Sequence, residues 1–183
     1  MSSEKAAAKN SGFFFFWSHY QRGVIPIFAK NKHMLEGLKS GVETILKQEG
    51  RSVDERLQTL CEYLKAEVSY YDWVGFYFRN GEKEELKLGP YAGAPTDHTI
   101  IPFGKGICGQ VAVSNANFVV PDVTAQDNYI ACSLTVKSEI VIPLFVEGKN
   151  IGQIDIDSET PDPFTEEDER FLEFVNTEVA KIL

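Results

Sequence analysis

Two segments before residue 70 carry apolar residues at the spacing of an amphipathic helix that buries one face. They cover residues 32–48 and 52–68. The second segment begins with Ser52 and has Glu55 three positions later, which is the pattern of a helix-capping box. Cys61 lies on its apolar stripe, and we interpret this cysteine as a small core residue.

From residue 72 onward the pattern changes to short strands separated by turns. Asn-Gly at residues 80–81 predicts a first hairpin, and Gly148 lies in the turn of a second hairpin. Between the hairpins, the glycine-rich segment 104–109 predicts a turn into a short helix that ends near Asn115. The predicted strands cover residues 72–78, 85–91, 98–103 and 117–122, and residues 139–158 supply the second hairpin.

These elements predict an α+β fold in which helices gather on one face of an antiparallel sheet of five or six strands. The last helix covers residues 164–183, where Thr165 can serve as the N-cap. Residues 33–183 are predicted to form a single domain. Residues 1–32 are predicted to be a partly flexible leader, whose aromatic stretch is too short to span a bilayer, which needs about 20 apolar residues.

The overall charge and the cysteine content narrow the classes of partner. The chain has 183 residues and a formal net charge of −9, so we expect neither nucleic acid nor an anionic membrane surface to bind it. Three cysteines without a secretory signal predict a reducing, cytoplasmic location. The histidines are scattered and no C-x-x-C pair occurs, so we predict no metal site and no cofactor.

Candidate chemistry begins where acidic residues alternate with isoleucines in the segment 154–158. Side chains two apart on a strand point to the same face, so Asp155 and Asp157 lie together, and their repulsion raises the pKa of at least one of them. Glu139 joins them if the second hairpin has the matching register. Such a carboxyl group can carry a proton near neutral pH, whereas on an exposed face the same residues would simply be solvated.

A lone cysteine, Cys132, lies in polar sequence just before the second hairpin. Neighbouring carboxylates oppose thiolate formation. A thiol beside these carboxyl groups therefore suits attack on an electrophile whose oxygen the acids protonate. The glycine-rich segment 104–109 could offer backbone N–H groups to an anion such as a substrate carboxylate, or its glycines could serve only a tight turn.

Four motifs, in their order and spacing, closely resemble the free methionine-R-sulfoxide reductases, a branch of the GAF domain fold. The motifs are WVGFY, IPFGKGICG, IACSLTVKSEIVIPL and IGQIDIDS. The resemblance covers residues 35–183. It implies a GAF-like α+β domain that acts as an L-methionine (R)-S-oxide reductase, reducing free L-methionine-R-sulfoxide to methionine.

The resemblance also implies roles for individual residues. Cys132 falls on the catalytic cysteine, which attacks the substrate sulfur, releases methionine and becomes a sulfenic acid. Cys108 falls on a second cysteine that can form a disulfide in the cycle. Three acids hold the substrate and assist protonation of its departing oxygen, and two aromatic residues box its methyl-sulfur end. These residues are Glu139, Asp155 and Asp157 for the acids, and Trp73 and Tyr77 for the aromatic pair, which could otherwise be ordinary core residues.

The chain departs from the family at one position. The usual resolving cysteine would lie ten residues before Cys108, where this chain has His98. Resolution of the sulfenic acid then has to use Cys108 or an outside reductant, either of the thioredoxin type or a small thiol. The alternative function is a non-catalytic GAF module that binds or senses a small ligand. We also expect a homodimer paired through the helices around residues 34–65.

Overall fold

The computed structural model describes residues 27–126 and 135–183, with side chains from residue 33 onward. Most of the predicted leader therefore lies outside the described residues, and so does Cys132. The first helix begins at Ile27, before the expected domain start at residue 33. That domain boundary remains a prediction.

Four helices and six strands occur within the described residues. The helices are α1 (Ile27–Leu46), α2 (Val53–Glu67), α3 (Gly106–Ser114) and α4 (Glu166–Ala180). The strands are β1 (Trp73–Arg79), β2 (Glu85–Ala92), β3 (Ile100–Pro102), β4 (Phe118–Val120), β5 (Ser138–Val146) and β6 (Lys149–Ser158). In this part of the chain, no helix is long and apolar enough to cross a membrane.

The six strands form one sheet in the order β3-β2-β1-β6-β5-β4. Every neighbouring pair is antiparallel. Both predicted hairpins are present, β1 with β2 and β5 with β6, and Gly148 adopts φ +77 in the second turn, a left-handed conformation that glycine tolerates best. The predicted α+β class with five to six strands is confirmed.

One face of the sheet is apolar and is covered by three helices. Phe76 of β1, Ile140 of β5 and Ile156 of β6 point to this face and are fully buried. They share a core with apolar residues of α1, α2 and α4. Burying a side chain of this size contributes about 1.5–3 kcal/mol, and the larger of the two core clusters lies on this face.

Helix α3 packs on the opposite face, which corrects the expectation that the helices gather on one side. Its residues Ile107 and Val111 form a second core cluster with Trp73 and Val141. Most of α3 is buried, so the helix has no polar stripe that would reveal its orientation from sequence. Gly109 allows close packing here, because a Cβ at this position would lie 2.5 Å from the carbonyl oxygen of Pro102.

Helix capping follows the sequence pattern. At α2, the Glu55 amide donates to the Ser52 hydroxyl at 3.2 Å, and the Ser52 amide donates to the Glu55 carboxylate at 2.8 Å. At α4, Thr165 and Asp168 form the same reciprocal arrangement. Both predicted N-caps are therefore confirmed, and each is expected to stabilise its helix by about 1 kcal/mol.

Candidate functional site

The strand register brings the three candidate acids together. Residues directly opposite each other on antiparallel strands share a face. Glu139 of β5 lies opposite Asp157 of β6, which in turn lies opposite Trp73 of β1. Asp155 occupies the next row on the same face, opposite Gly75. The expected register is confirmed, and the acids lie on the face that α3 covers.

All three carboxyl groups are buried, and burial is the largest influence on their protonation. Glu139 is 3% exposed, and Asp155 and Asp157 are each 2% exposed. Burial raises the pKa of Asp155 to about 7, and a hydrogen bond with Cys108 lowers it in part. Burial also raises the pKa of Glu139 and Asp157, and repulsion from neighbouring carboxylates adds to the effect. Repulsion, the cause inferred from sequence, is therefore the smaller contribution for those two acids and burial the larger.

Cys108 reaches this acid cluster from the first turn of α3. Its sulfur and one carboxylate oxygen from each of Glu139 and Asp155 all lie within 4.8 Å of one another. The Cys108 side chain is 4% exposed. The other buried cysteine, Cys61, belongs to the opposite core, as predicted, and burial raises its pKa far above the usual range.

Two small cavities border the acids. The first, about 50 Å³, is lined by Trp73, Thr135 and Asp157 among others. The second, about 20 Å³, is lined by His98 and Glu139 together with the first turn of α3. Two cavities large enough for a water molecule thus adjoin the acid cluster.

The two candidate aromatic residues lie side by side next to the acids. The rings of Trp73 and Tyr77 stack with centroids 6.3 Å apart. Their polar atoms hold the segment after β2, because the Trp73 indole N–H donates to the Ala94 carbonyl at 3.1 Å and the Tyr77 hydroxyl donates to the His98 carbonyl at 3.0 Å. Trp73 lines the larger cavity, whereas Tyr77 is 1% exposed and packs inside the second core.

Gly75 in the motif WVGFY makes room for the Trp73 indole. A Cβ at this position would lie 2.2 Å from the edge of that ring, closer than real Cβ contacts allow. The indole therefore lies over the glycine, two residues further along the same strand. This gives the WVGFY motif a physical reason that the sequence pattern alone did not reveal.

Gln153 is a buried polar residue that the sequence interpretation missed. It lies opposite Tyr77, on the same face of β6 as Asp155 and two residues before it. Its side chain is fully buried, and neither its amide oxygen nor its amide nitrogen has a hydrogen-bond partner among the described residues. The alternation that identified Asp155 and Asp157 continues one step further to Gln153 and could have identified it.

The glycine-rich turn before α3 presents a helix N-terminus beside the smaller cavity. Gly106 adopts φ +61 there, and the N-cap residue, Lys105, makes no capping hydrogen bond through its side chain. Lys105 and Gly106 both line the cavity. Binding of an anion at this turn stays a prediction.

The described residues thus combine buried acids that can carry protons, a sulfur atom and a stacked aromatic pair beside two small cavities. Such a site can bind a small polar molecule and deliver a proton to it. Cys132, the candidate nucleophile, lies outside the described residues. The chemical roles of all these side chains therefore remain proposals.

Comparison with known proteins places this arrangement in a family. The model of the GAF domain family matches residues 50–183. Among curated relatives, Protein YtsP of Bacillus subtilis is 36% identical over 71% of this chain and 83% of its own. The free methionine-R-sulfoxide reductase of Escherichia coli is 39% identical over 61% of this chain and 66% of its own.

Solved structures give the same picture. The free methionine-R-sulfoxide reductase of Neisseria meningitidis, solved in complex with its substrate, superposes with a TM-score of 0.78 at 34% identity, covering 83% of this chain and 89% of that one. A putative GAF sensor protein of Burkholderia vietnamiensis has a TM-score of 0.75 at 30% identity, covering 81% and 92%. The chain therefore belongs to the GAF domain family and is close to the free methionine-R-sulfoxide reductases.

Proposed function

We propose that this protein reduces free L-methionine-R-sulfoxide to methionine. The observation that carries the proposal is the juxtaposition of Glu139, Asp155 and Asp157 on one buried sheet face, with the Cys108 sulfur beside two of them. Similarity to reductases of this name, one of them solved with its substrate, supports it.

In the proposed reaction, the thiol of Cys132 attacks the sulfoxide sulfur. A sulfur–sulfur bond forms while a buried acid protonates the sulfoxide oxygen, which leaves as water. A water molecule then adds to the Cys132 sulfur, the sulfur–sulfur bond breaks, and methionine leaves with Cys132 as a sulfenic acid. The substrate sulfur gains two electrons, and the cysteine sulfur loses them. Glu139 and Asp155 suit the proton transfer because burial favours their protonated forms.

The second step restores the cysteines. The Cys108 thiol attacks the Cys132 sulfenic acid, a disulfide forms, and the oxygen leaves as water. A thioredoxin-type or small-thiol reductant then returns both cysteines to thiols. Because His98 stands where the family has its usual resolving cysteine, Cys108 carries this resolving role in the proposal.

Substrate selection is assigned to the aromatic pair. Trp73 lines the cavity that Asp157 borders, so its ring can contact the methyl-sulfur end of the substrate while the acid faces the oxygen. Tyr77 stacks beside Trp73 and holds the neighbouring segment through the His98 carbonyl. In this proposal Trp73 contacts the substrate, and Tyr77 holds the Trp73 ring in position.

The proposal is tested by a single turnover of the fully reduced full chain with free methionine-R-sulfoxide, without added reductant. We expect one methionine per chain and a disulfide between Cys108 and Cys132, found by thiol counting and mass mapping. The Cys132→Ser variant should form no methionine. The Cys108→Ser variant should form methionine but retain a sulfenic acid.

The acids are tested by a matched pair on one hairpin. Glu139→Gln should lower the single-turnover rate by about 100-fold or more, in the range of a lost general acid. Glu147→Gln, in the exposed turn of the same hairpin, should leave the rate unchanged. Methionine formation at the normal rate by the Glu139→Gln variant would contradict the assigned role.

The same experiment separates the reductase from a binding module. A folded protein with intact thiols that forms no methionine, yet binds methionine sulfoxide with equal affinity before and after Cys132→Ser, would establish the non-catalytic GAF module instead. Putative sensor proteins among the similar structures make this the second candidate.

A further inference from the structure

A thiol and two carboxyl groups converge on one point inside the protein. The Cys108 sulfur and one oxygen from each of Glu139 and Asp155 lie within 4.8 Å of one another, and all three side chains are buried. Ligand atoms around a four-coordinate Zn²⁺ ion lie about 3.5 Å apart, given bond lengths of about 2.0–2.3 Å. Small rotations of the side chains would therefore be enough for all three to contact one ion.

The same cluster contains buried acceptors that find no partner among residues 27–126 and 135–183. These are Oδ1 of Asp155 and Oδ1 of Asp157, which are also inaccessible to solvent. Leaving such an atom unsatisfied costs about 1–3 kcal/mol. The ion pairs found between described residues all lie elsewhere on the protein. Within the described part of the chain, no basic side chain neutralises these acids.

A cavity of suitable size adjoins the cluster. It has a volume of about 20 Å³ and is lined by His98, Cys108 and Glu139 among others, which is room for one water molecule or a single ion. His98 therefore borders the same space as two members of the cluster. Imidazole nitrogen, thiolate sulfur and carboxylate oxygen are the three donor types that bind zinc in proteins.

We propose that Cys108, Glu139 and Asp155 bind a divalent cation of the Zn²⁺ class when the protein is reduced. His98 or a water molecule fills the fourth position. The sulfur donor selects a borderline cation over Mg²⁺ or Ca²⁺, which prefer sites made of oxygen atoms alone. The thiol loses its proton when the cation binds, and no electron is transferred.

Cation binding at this site depends on the redox state of Cys108. A Cys108 sulfur oxidised to a disulfide no longer offers a thiolate, so the cation is released. A bound cation also occupies the donors that the proposed reaction uses, and it should therefore inhibit turnover. Cation binding itself does not depend on the proposed reductase activity, whereas this inhibition rests on it.

The test is a Co²⁺ titration of the reduced, chelator-treated full chain without oxygen. We expect one Co²⁺ per chain, a thiolate-to-cobalt charge-transfer band, and loss of that band when Zn²⁺ is added. Cys108→Ser should abolish the band. Glu139→Gln and Asp155→Asn should each weaken binding more than about tenfold, since even changes outside the ligand shell often cost about 10- to 100-fold.

Two further variants separate this site from other thiols. Cys61→Ala, in the opposite core, and Cys132→Ser should both keep the band. The proposal is overturned if the band survives Cys108→Ser, if it disappears with Cys132→Ser, or if no band forms in folded protein saturated with Co²⁺. Where Cys108→Ser fails to fold, unchanged Co²⁺ affinity of Glu139→Gln overturns the proposal equally.

Turnover assays keep the two proposals apart. If the protein binds Co²⁺ as described but forms no methionine in the presence of EDTA, the metal-site proposal stands and the reductase proposal is overturned. If the protein forms methionine in EDTA but shows no Co²⁺ band, the reductase proposal stands and the metal-site proposal is overturned. If both proposals hold, Zn²⁺ stops the single turnover and EDTA restores it.

Discussion

Two sets of buried aspartates in this protein have opposite surroundings. Asp168, in the first turn of α4, is fully buried and is surrounded by donors. It accepts hydrogen bonds from the Tyr70 hydroxyl at 2.7 Å and the Tyr71 hydroxyl at 3.0 Å, and from the amide and the hydroxyl of Thr165, both at 2.8 Å. This carboxyl group ties α4 to the segment before β1.

Asp155 and Asp157 are buried to a similar degree but have fewer donors among the described residues. Cys108 forms a hydrogen bond with Asp155, one oxygen of each aspartate finds no partner in this part of the chain, and the same face carries a third acid, Glu139. Burial with few donors favours the neutral form of a carboxyl group, whereas several hydrogen-bond donors stabilise the charged carboxylate even when it is buried. The number of donors around a buried acid, more than burial itself, therefore separates a structural acid from one available for chemistry.

The strongest test of this comparison is the pH dependence of stability in Asp155→Asn. The pKa of Asp155 is raised from 3.8 to about 7 in the folded protein, so the folded state binds more protons than the unfolded state across this window. Stability is then present at low pH and lost as pH rises toward and through about 7. The wild type should lose up to about 4 kcal/mol from this group, at about 1.4 kcal/mol per pKa unit.

Asp155→Asn should flatten that loss, because asparagine has no proton to release. Urea unfolding of both proteins at about pH 5 and about pH 8, in EDTA, measures the difference. Equal slopes of stability against pH in the two proteins would contradict the assignment of a raised pKa to Asp155.

The next largest effect is expected from Asp168→Ala. This change removes the α4 cap and leaves the Tyr70 and Tyr71 hydroxyls without their acceptor. We expect a loss of about 3 kcal/mol, from a capping contribution of about 1 and charged hydrogen bonds of about 1.5–3 kcal/mol. Urea unfolding provides the measurement, with the exposed Glu166→Ala in the same turn as control. If the free energy of unfolding falls no more in Asp168→Ala than in Glu166→Ala, the structural role of Asp168 is contradicted.

Removing an unpartnered amide should have the opposite sign. Gln153→Met keeps the length of the side chain and deletes both polar atoms that lack partners. Because each such atom costs about 1–3 kcal/mol, we expect the free energy of unfolding to rise by about 1–2 kcal/mol. Thermal and urea unfolding check this. A clear loss of stability would mean that Gln153 has a partner, such as a buried water.

The smallest effect is expected from Tyr70→Phe. It removes one of several donors to Asp168 and leaves the others in place, so the loss should be about 1 kcal/mol. Combining Tyr70→Phe with Asp168→Ala in a double-mutant cycle should show that the two losses are not additive. If the two losses in the free energy of unfolding add fully, the Tyr70 hydroxyl does not stabilise the protein through its hydrogen bond to Asp168.

The local features of this protein follow from its sequence. The capping box at Ser52, the N-cap at Thr165, the hairpin turn at Gly148 and the shared face of Asp155 and Asp157 all depend on spacing within a few residues. The strand and helix periods carry that information directly, because each element alternates or rotates its side chains at a fixed step. The antiparallel α+β class follows from the sum of these local patterns.

The features that join distant segments depend on the tertiary fold. It placed Glu139 opposite Asp157 and put α3, with Cys108, over the acids. It also surrounded Asp168 with tyrosines almost a hundred residues earlier in the chain. Register and the choice of sheet face depend on packing between elements, which no single segment encodes. For the same reason, the sequence showed that acids were present but not which of them had donors.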